Sequence, residues 1–445
     1  GYTVVDLQGR YLMPGLINMH VHLAGSGKPQ KKQRDNEKLV RTILSTALTR
    51  KIAYQMVCGF ARTELMSGVT TIRTVGGLGD FDTRLRDEIK AGKTGPRILA
   101  ANQGISVPGG HMAGSVAVAA KNNEEALAHL AQAEKEKVDL VKLMITGGVL
   151  DAKEKGVPGE LKMPPEMVKA VCDKAHEAGF IVSAHVESPQ GVKVALQNGV
   201  DSIEHGAKLD DEMIALFKER GAFLCTTISP ALPYALFDRS VTNASEVEQY
   251  NGNVVFEGIV ECAKQALAND IPVVLGNDVG CPWITQYDFW RELYYFHKYV
   301  GVSNAFALYT ATARSAEMAG IGDAKLVSTD LNNAIPQNNV EQKNDVANTT
   351  NSTVNADNRS KTENSVNQSS DVKNQTNTTK ETTTTSAKET TDTEKYFAES
   401  KLERENMYSE MLESYQSILA STNVSAEQKS TSQKEISTIN SQKNA

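Results

Sequence analysis

The sequence predicts an α/β protein in which residues 1–323 form a closed (β/α)8 barrel, also called a TIM barrel. Short runs of β-branched and apolar residues recur along this part, and each run is followed by a polar turn and a longer helical stretch. This alternation is typical of βαβ units with a parallel sheet. Eight such runs occur, which is the number that closes this barrel. Of all residues, 40% are apolar and 23% are charged, so the chain has enough apolar material for a large core.

Two of the helices between the predicted strands have clear end signals. One spans Pro164 to Ala178, because prolines suit the start of a helix and Gly179 follows its end. The other spans Asn304 to Ala319, between Ser303 as a cap and Gly320. The predicted strands are, in chain order, Leu16 to His22, Thr70 to Thr74, Arg97 to Ala101, Leu140 to Thr146, Ile181 to His185, Ser202 to His205, Phe223 to Thr227 and Val273 to Asp278.

The composition changes sharply after residue 323. Residues 324–392 are rich in Asn, Ser, Thr, Lys and Glu and contain too little apolar surface to offset the entropy of ordering, so we expect a disordered linker. Apolar residues at helical spacing then predict a helix from about Thr393 to Ala420 and a weaker one around Ile436 and Ile439. The predicted domains are therefore the barrel (1–323), the linker (324–392) and a short helical segment (393–445).

Charge and cysteine content argue against several classes of protein. The 47 Lys and Arg residues are outnumbered by 54 Asp and Glu residues, and no Lys/Arg-rich run occurs, so nucleic acid and anionic membranes are poor partners. Five scattered cysteines without a Cys-x-x-Cys pair argue against a disulfide scaffold or a thiolate zinc site. No apolar run is long enough to cross a membrane and no targeting segment is visible, so we expect a cytoplasmic protein.

Four of the eight histidines fall at the C-terminal ends of predicted strands. His20 and His22 are two residues apart at the end of the first strand, so the period of a strand directs both side chains to the same side. An isolated His-x-His pair is more often two half-buried histidines than half of a metal site. His185 and His205, however, end the fifth and sixth strands, and in this architecture such ends face the active site.

Two further residues complete a set of candidate metal ligands. Asp278 ends the eighth strand and offers a carboxylate. Lys142 lies in the apolar fourth strand, where a protonated ammonium is costly to bury. A carbamate formed on its amine by carbon dioxide would be an anion able to bridge two cations, and all these donors suit zinc or a similar divalent ion. The sequence therefore predicts a metal centre made of His20, His22, Lys142, His185, His205 and Asp278.

Six segments of the chain match a known pattern: YLMPGLINMHVHL, GVTTIRTVGG, KLMITGGV, SAHVES, SIEHG and GNDVG. Through them, residues 2 to about 323 resemble the amidohydrolase superfamily, and within it the imidazolonepropionase-related metal-dependent dipeptidases of the Xaa-Pro dipeptidase type. The resemblance implies two metal ions. The ligands of one would be His20, His22, Lys142 and Asp278, and those of the other would be carboxylated Lys142, His185 and His205.

The resemblance also implies hydrolysis of a C–N amide bond, in a dipeptide or an N-acyl amino acid. A water shared by the two cations would lose its proton near neutral pH and attack the carbonyl as a bridging hydroxide. Asp278 would take that proton and pass it to the leaving nitrogen. His111, in the glycine-rich segment VPGGHMAG, would contact the substrate, or it is a plain loop histidine. Arg73 and Tyr234 would hold a substrate carboxylate, or they are a structural ion pair and a packed aromatic.

The sequence departs from the family pattern on both sides of the barrel. The group carries a small β-sandwich beside the barrel, and here at most Thr3 to Leu12 would belong to it, so we expect most of the sandwich to be missing. The apolar flank left on the barrel would favour a homo-oligomer. The segment from EKYF to AEQKS resembles the stage III sporulation protein AH family, whose members build rings, so we also expect a protein partner for the C-terminal helices.

Three functions are consistent with these features. The first is a binuclear metal-dependent hydrolase acting on a dipeptide or an N-acyl amino acid. The second is a mononuclear deaminase or an imidazolonepropionase-like cyclic amidohydrolase, against which Lys142 argues because a single ion needs no bridging lysine. The third is an inactive barrel that acts as an assembly module through its tail.

Overall fold

The structure, a computed structural model, describes residues 12–29 and 35–322 together with positions 4, 6, 7, 9, 416, 433 and 436. Within these residues ten strands form, and their pairings are parallel. The strands are β1 (Leu16–Val21), β2 (Val69–Thr74), β3 (Arg97–Ala100), β4 (Gly104–Ser106), β5 (Ala117–Ala119), β6 (Val141–Met144), β7 (Val182–Val186), β8 (Ser202–His205), β9 (Phe223–Thr226) and β10 (Val273–Leu275).

Backbone hydrogen bonds join two sheets into a closed barrel. One sheet has the order β1-β2-β3, and the other has the order β10-β9-β8-β7-β6-β4-β5. On one side, the N–H of His22, which follows β1, donates at 2.9 Å to the carbonyl of Val279, which lies a few residues after β10. Between β3 and the start of β6, the Asp139 N–H donates to the Ala100 carbonyl at 2.7 Å. The barrel predicted from the sequence is therefore confirmed.

Helices connect the strands, and several begin at a side chain that caps the first turn. Asn122, Asp210 and Ser245 each accept a hydrogen bond from a backbone N–H three residues later. The helices are α1 (Asn36–Leu44), α2 (Ala47–Met66), α3 (Phe81–Lys90), α4 (Asn123–Lys135), α5 (Pro165–Glu177), α6 (Pro189–Gln197), α7 (Asp211–Arg220), α8 (Leu232–Leu236), α9 (Arg239–Thr242), α10 (Glu246–Ala268), α11 (Phe289–Tyr295), α12 (Asn304–Tyr309) and α13 (Ser315–Met318), with π-helical segments at Phe296–Val300 and Thr310–Arg314.

All eight predicted strands are present, with ends that differ by at most a few residues. The short strands β4 and β5 were not predicted, and they frame the glycine-rich segment that carries His111. Helix α5 ends before Gly179, whose φ of +82° stops the helix as expected. The helix predicted from residue 304 to residue 319 is interrupted between α12 and α13 by a π-helical segment.

Several predictions fall outside the described residues. These are the linker at 324–392, nearly all of the helical segment at 393–445, and part of the segment from Thr3 to Leu12. Leu12 and Met13, which lead into β1, are exposed. In the part of the chain that the structure describes, none of the helices combines the length and the apolar character needed to cross a bilayer.

Helix α2 packs against β2 and buries a carboxyl group near its C-terminal end. Glu64 is fully buried, and neither of its carboxyl oxygens has a hydrogen-bond partner. Burial raises the pKa of Glu64 to about 8, with Asn18 opposing the rise and Asp288 adding to it. Near neutral pH the folded protein therefore holds a proton on Glu64 that the unfolded chain releases.

Glu64→Gln is expected to reduce the pH dependence of stability. Because the folded-state pKa is raised, the contribution of Glu64 falls as pH rises from the unfolded value of 4.5 to about 8, whereas an amide does not titrate. Between about pH 5 and about pH 8.5 the variant should gain at least ~1 kcal/mol relative to the unsubstituted protein. Denaturant unfolding at the two pH values measures this difference. Identical pH dependence in both proteins would show that Glu64 does not titrate in this range.

Candidate metal centre and active site

Strand β1 presents two imidazoles at the barrel mouth. His20 Nδ1 lies 2.7 Å from Glu204 Oε2, and His22 Nδ1 lies 2.9 Å from the carbonyl oxygen of Gly76. When the proton of each ring is on the nitrogen that makes the shorter of its two contacts, the other nitrogen is left as an electron-pair donor. That nitrogen is Nε2 in both residues. The two Nε2 atoms approach the same oxygen, Asp278 Oδ1, at 3.4 and 3.3 Å.

Asp278 follows β10 with a left-handed backbone, φ +55°. Gly276 permits the close approach of this segment to β1, since a Cβ there would lie 2.3 Å from the His20 Cβ. The Asp278 carboxylate is buried, and its Oδ1 has no hydrogen-bond partner. Burial opposes ionisation, but the adjacent His20 and His22 hold the pKa of Asp278 well below its usual range. A cation bound beside this buried oxygen and the two imidazole nitrogens would give the oxygen the partner that it lacks.

Strands β7 and β8 supply the other two imidazoles. The His205 ring centroid lies 4.8 Å from that of His20 and 4.6 Å from that of His185. His205 Nδ1 is 2.6 Å from Thr227 Oγ1, and His185 Nε2 is 3.2 Å from the Gly147 carbonyl oxygen. The structure therefore brings the four predicted histidines together.

Burial favours the neutral form of three of these imidazoles, those of His20, His185 and His205. It lowers the pKa of His20 to about 4, although the nearby Asp278 carboxylate partly opposes the effect. The pKa values of His185 and His205 lie well below the usual value, first because of burial and then because neighbouring imidazoles disfavour added positive charge. Neutral imidazole is the form that binds metal ions.

Lys142 lies in β6, with 2% of its surface exposed. Its backbone is in register with Ser183 of β7, two residues before His185. Burial lowers the pKa of Lys142 to about 8, while Glu204 opposes this shift and Arg73 adds to it. A neutral amine is the form that reacts with carbon dioxide, so the environment favours the chemistry expected of this lysine.

Among the described residues, three groups place potential ligand atoms within 4.8 Å of one another. One contains three of the predicted ligands. Another contains two predicted histidines and an acidic residue that the sequence analysis did not single out. The groups are His20 with His205 and Asp278, His20 with Glu204 and Cys225, and His185 with Glu187 and His205.

Comparison with known proteins identifies the family. A sequence profile of the amidohydrolase family matches residues 11–352, which is most of the chain. The chain belongs to the amidohydrolase family. A second profile, of SpoIIIAH-like proteins, matches residues 302–445 and so overlaps the first over 302–352. Both resemblances noted in the sequence are confirmed.

Solved structures and curated proteins include similar amidohydrolases. A putative prolidase from Bifidobacterium longum is 38% identical with a TM-score of 0.59, covering 70% of each chain. A Xaa-Pro dipeptidase solved with methionine in its active site is 28% identical with a TM-score of 0.60, covering 70% of this chain and 76% of that one. An uncharacterised Mycobacterium tuberculosis protein is 30% identical over 285 residues, which is 62% of this chain and 66% of that one, about two thirds of its length. Ochratoxinase from Aspergillus niger is 33% identical over 90 residues, covering 20% of this chain and 18% of that one.

Arg73 corrects one prediction for this amidohydrolase. It is 1% exposed, so its guanidinium does not reach a substrate at the barrel mouth. Its Nε donates to the Met19 carbonyl at 2.7 Å, its Nη1 to Ser202 Oγ at 3.1 Å and its Nη2 to Glu204 Oε1 at 2.7 Å. All three nitrogens are used inside the barrel, and Arg73 forms the structural ion pair that the sequence had left open.

Glu204, which contacts His20 and Arg73, is a residue that the sequence analysis missed. It is fully buried, and its Oε1 also accepts hydrogen bonds from Ser183 at 2.8 Å and from Ser202 at 2.5 Å. Burial opposes its charge, but Arg73 and the hydrogen bond with His20 hold the pKa of Glu204 well below its usual range. The available signal was a charged residue next to a histidine within the short strand β8.

His111 lies over His185, with ring centroids 3.9 Å apart and ring planes 3° apart. Asp151, which the sequence analysis also missed, contacts His111 Nδ1 through Oδ2 at 2.5 Å. The same carboxylate oxygen accepts a hydrogen bond from the Gly148 N–H at 2.9 Å. Asp151 therefore orients the His111 ring and leaves its Nε2 for another partner.

Tyr234 lies in the short helix α8 and is half-buried. Helix α10 packs closely on it, since a Cβ on Gly252 would lie 2.4 Å from the Tyr234 Cβ. Burial, and then the neighbouring Cys281 and Glu248, raise the pKa of its hydroxyl, which therefore remains a hydrogen-bond donor. Cys281 is three residues after Asp278, so this helix lies near the segment that carries Asp278.

Glu187 was missed as well, although it follows His185 by two residues. In an extended backbone, side chains two residues apart point to the same side. Its Oε2 is buried and has no hydrogen-bond partner. Burial raises the pKa of Glu187 to about 8, and the carboxylates of Asp278 and Asp151 add to the rise. The residue thus presents an unsatisfied acidic oxygen beside the histidines.

Glu204→Gln is expected to destabilise the fold by about 3–5 kcal/mol, because it leaves the buried Arg73 guanidinium without a counter-charge. Asp173→Asn is the matched control, since it removes an exposed ion pair with Lys169 on α5 and should change stability little. Denaturant unfolding of metal-free protein measures both variants. If Glu204→Gln were no less stable than Asp173→Asn, the ion pair would not have the structural role assigned to it.

Proposed function

We propose that this chain uses two metal ions to hydrolyse the amide bond of a dipeptide or an N-acyl amino acid. One observation carries the proposal. His20 and His22 flank a buried oxygen of Asp278 that has no hydrogen-bond partner, His205 completes a group with His20 and Asp278, and His185 lies beside His205. A buried carboxylate oxygen without a partner costs free energy unless a donor or a cation binds to it. Imidazole and carboxylate together favour a divalent cation such as zinc.

The donor set divides into two groups that fit two cations. The nitrogens of His20 and His22 converge on Asp278, whereas His185 and His205 form the neighbouring group. Lys142, once its neutral amine has added carbon dioxide and released a proton, is an anion able to serve both groups. The proposed ligands are His20, His22, Lys142 and Asp278 for one ion, and Lys142, His185 and His205 for the other.

Bound metal ions would act as Lewis acids toward a water molecule and the scissile carbonyl. Asp278 takes the proton of the attacking water while the new O–C bond forms, and it delivers that proton to the nitrogen while the C–N bond breaks. His111, oriented by Asp151, contacts the carbonyl oxygen on which charge develops, and it donates a hydrogen bond to that oxygen when both of its ring nitrogens carry a proton. The Tyr234 hydroxyl donates a hydrogen bond to the substrate carboxylate.

The choice of substrate class is supported by relatives. Two structures with 38% and 28% identity bear the names putative prolidase and Xaa-Pro dipeptidase. Dipeptides with a C-terminal proline are therefore the first substrates to test. Exposed apolar residues on α2 also support a homo-oligomer, since Leu48, Ile52 and Met56 recur at four-residue spacing on one helix face.

Two other functions keep a specific observation in their favour. A mononuclear deaminase or an imidazolonepropionase-like enzyme is favoured by the group of His20, His205 and Asp278, which alone could hold one ion. The burial of Lys142 beside that group argues against it. An inactive barrel acting as an assembly module is favoured by the SpoIIIAH-like match over residues 302–445.

Metal analysis tests the binuclear centre. Full-length protein prepared with zinc and bicarbonate should hold two ions per chain, and Lys142→Ala should lose metal because the shared ligand is gone. Lys169→Ala, an exposed lysine on α5, is the control and should keep the full metal content. A single ion that Lys142→Ala retains would favour the mononuclear enzyme instead.

Hydrolysis assays test the reaction. The zinc-loaded chain should cleave members of a panel of Xaa-Pro dipeptides and N-acyl amino acids, and Asp278→Asn should lower kcat by about 10²–10⁴-fold because the proton carrier is lost. Asp173→Asn should leave kcat unchanged, and metal content is measured for each variant. Zinc-loaded protein that hydrolyses no member of the panel would contradict the proposal and favour the assembly module.

A further inference from the structure

Glu187 is the acidic residue beside the proposed metal ligands that no role above uses. Its potential ligand atom and those of His185 and His205 lie within 4.8 Å of one another. Its Oε2 is shielded from solvent and has no hydrogen-bond partner. Among native proteins a buried carboxyl oxygen without a partner is uncommon, and it calls for a ligand.

The backbone around Glu187 is held firmly. Its N–H donates to Thr146 Oγ1 at 3.0 Å, and Gly159 packs against its carbonyl group, where a Cβ would come within 2.4 Å. On the other side, a Cβ on Gly148 would lie 3.3 Å from Glu187 Oε2 and 3.2 Å from His111 Cε1. The absence of a side chain at Gly148 therefore leaves the space between Glu187 and His111 open.

The charge of the surroundings indicates what this space would accept. Two other carboxylates lie close by, since Asp151 contacts His111 through Oδ2 and Asp278 shares a group of potential ligand atoms with His205. A third acidic oxygen is disfavoured there unless a cationic group accompanies it. The two proposed metal ions already receive their ligands from the six other residues, so the remaining cation is one that arrives with the substrate.

We propose that Glu187 binds the α-ammonium group of the substrate, which makes the enzyme a dipeptidase for free N-termini and excludes N-acyl amino acids. This inference rests on the proposed function and selects between its two substrate classes. An N-acyl compound has no ammonium group, so it would leave Glu187 Oε2 buried and without a partner. A site built to pair with a charged group rejects an analogue that lacks it far more strongly than a site that selects by size.

The test compares two substrates that differ only in the amine: leucyl-proline and isocaproyl-proline. The unsubstituted enzyme should prefer leucyl-proline by at least about 100-fold in kcat/KM. Glu187→Gln should lose most of this preference while its kcat/KM for isocaproyl-proline stays within a few fold. Glu166→Gln, an exposed glutamate on α5, is the matched control and should keep the preference.

Two measurements that need no turnover accompany the assay: metal content, and calorimetric binding of leucine and of isocaproate to the zinc-loaded protein. The Glu187→Gln variant should keep its metal ions. It should lose affinity for leucine but not for isocaproate. If Glu187→Gln loses a metal ion, Glu187 is a metal ligand and the inference is wrong. Equal losses for the amine and its desamino analogue would also overturn it. If the unsubstituted protein hydrolyses neither compound, the proposed function fails, while leucine binding still decides the role of Glu187.

Discussion

The arrangement of the site depends on one buried carboxylate, that of Glu204. Its Oε1 accepts hydrogen bonds from Arg73, Ser183 and Ser202, and its Oε2 contacts His20 Nδ1. The arginine keeps the carboxylate ionised, so the proton between Glu204 and His20 stays on the imidazole. His20 Nε2 is then free to face Asp278. A charge inside the barrel thus sets which nitrogen is presented at its mouth.

The strands and the histidines could be predicted because a parallel barrel opens all of its strand ends on one side. His20, His22, His185 and His205 needed only their positions at such ends to be placed together. Glu204 was harder to predict, since regular alternation would direct it away from its neighbour His205. The φ of +68° at His205 breaks that alternation, and both side chains contact or approach His20. Local backbone geometry of this kind is not visible in a residue pattern.

Arg73 and Asp151 show the same limit over longer distances. The side-chain partners of Arg73 are 129 and 131 residues away in the chain, and no spacing rule connects them. From its place near the end of β2, Arg73 could have faced either the substrate or the interior, and its burial decides for the interior. Asp151 contacts His111 from a loop that follows β6, forty residues later. Sequence patterns place residues on elements, whereas ion pairs between loops depend on the closed barrel.

Two buried acids show how this protein compensates unpaired charge. Glu64 has no hydrogen-bond partner, and its raised pKa lets a proton neutralise it near neutral pH. Asp278 Oδ1 also lacks a partner, yet the pKa of its carboxyl is lowered rather than raised. A proton therefore suffices for Glu64, whereas Asp278 calls for a cation that imidazoles can also bind. Because such a cation binds the folded barrel and finds no preformed site in the unfolded chain, its binding would stabilise the fold.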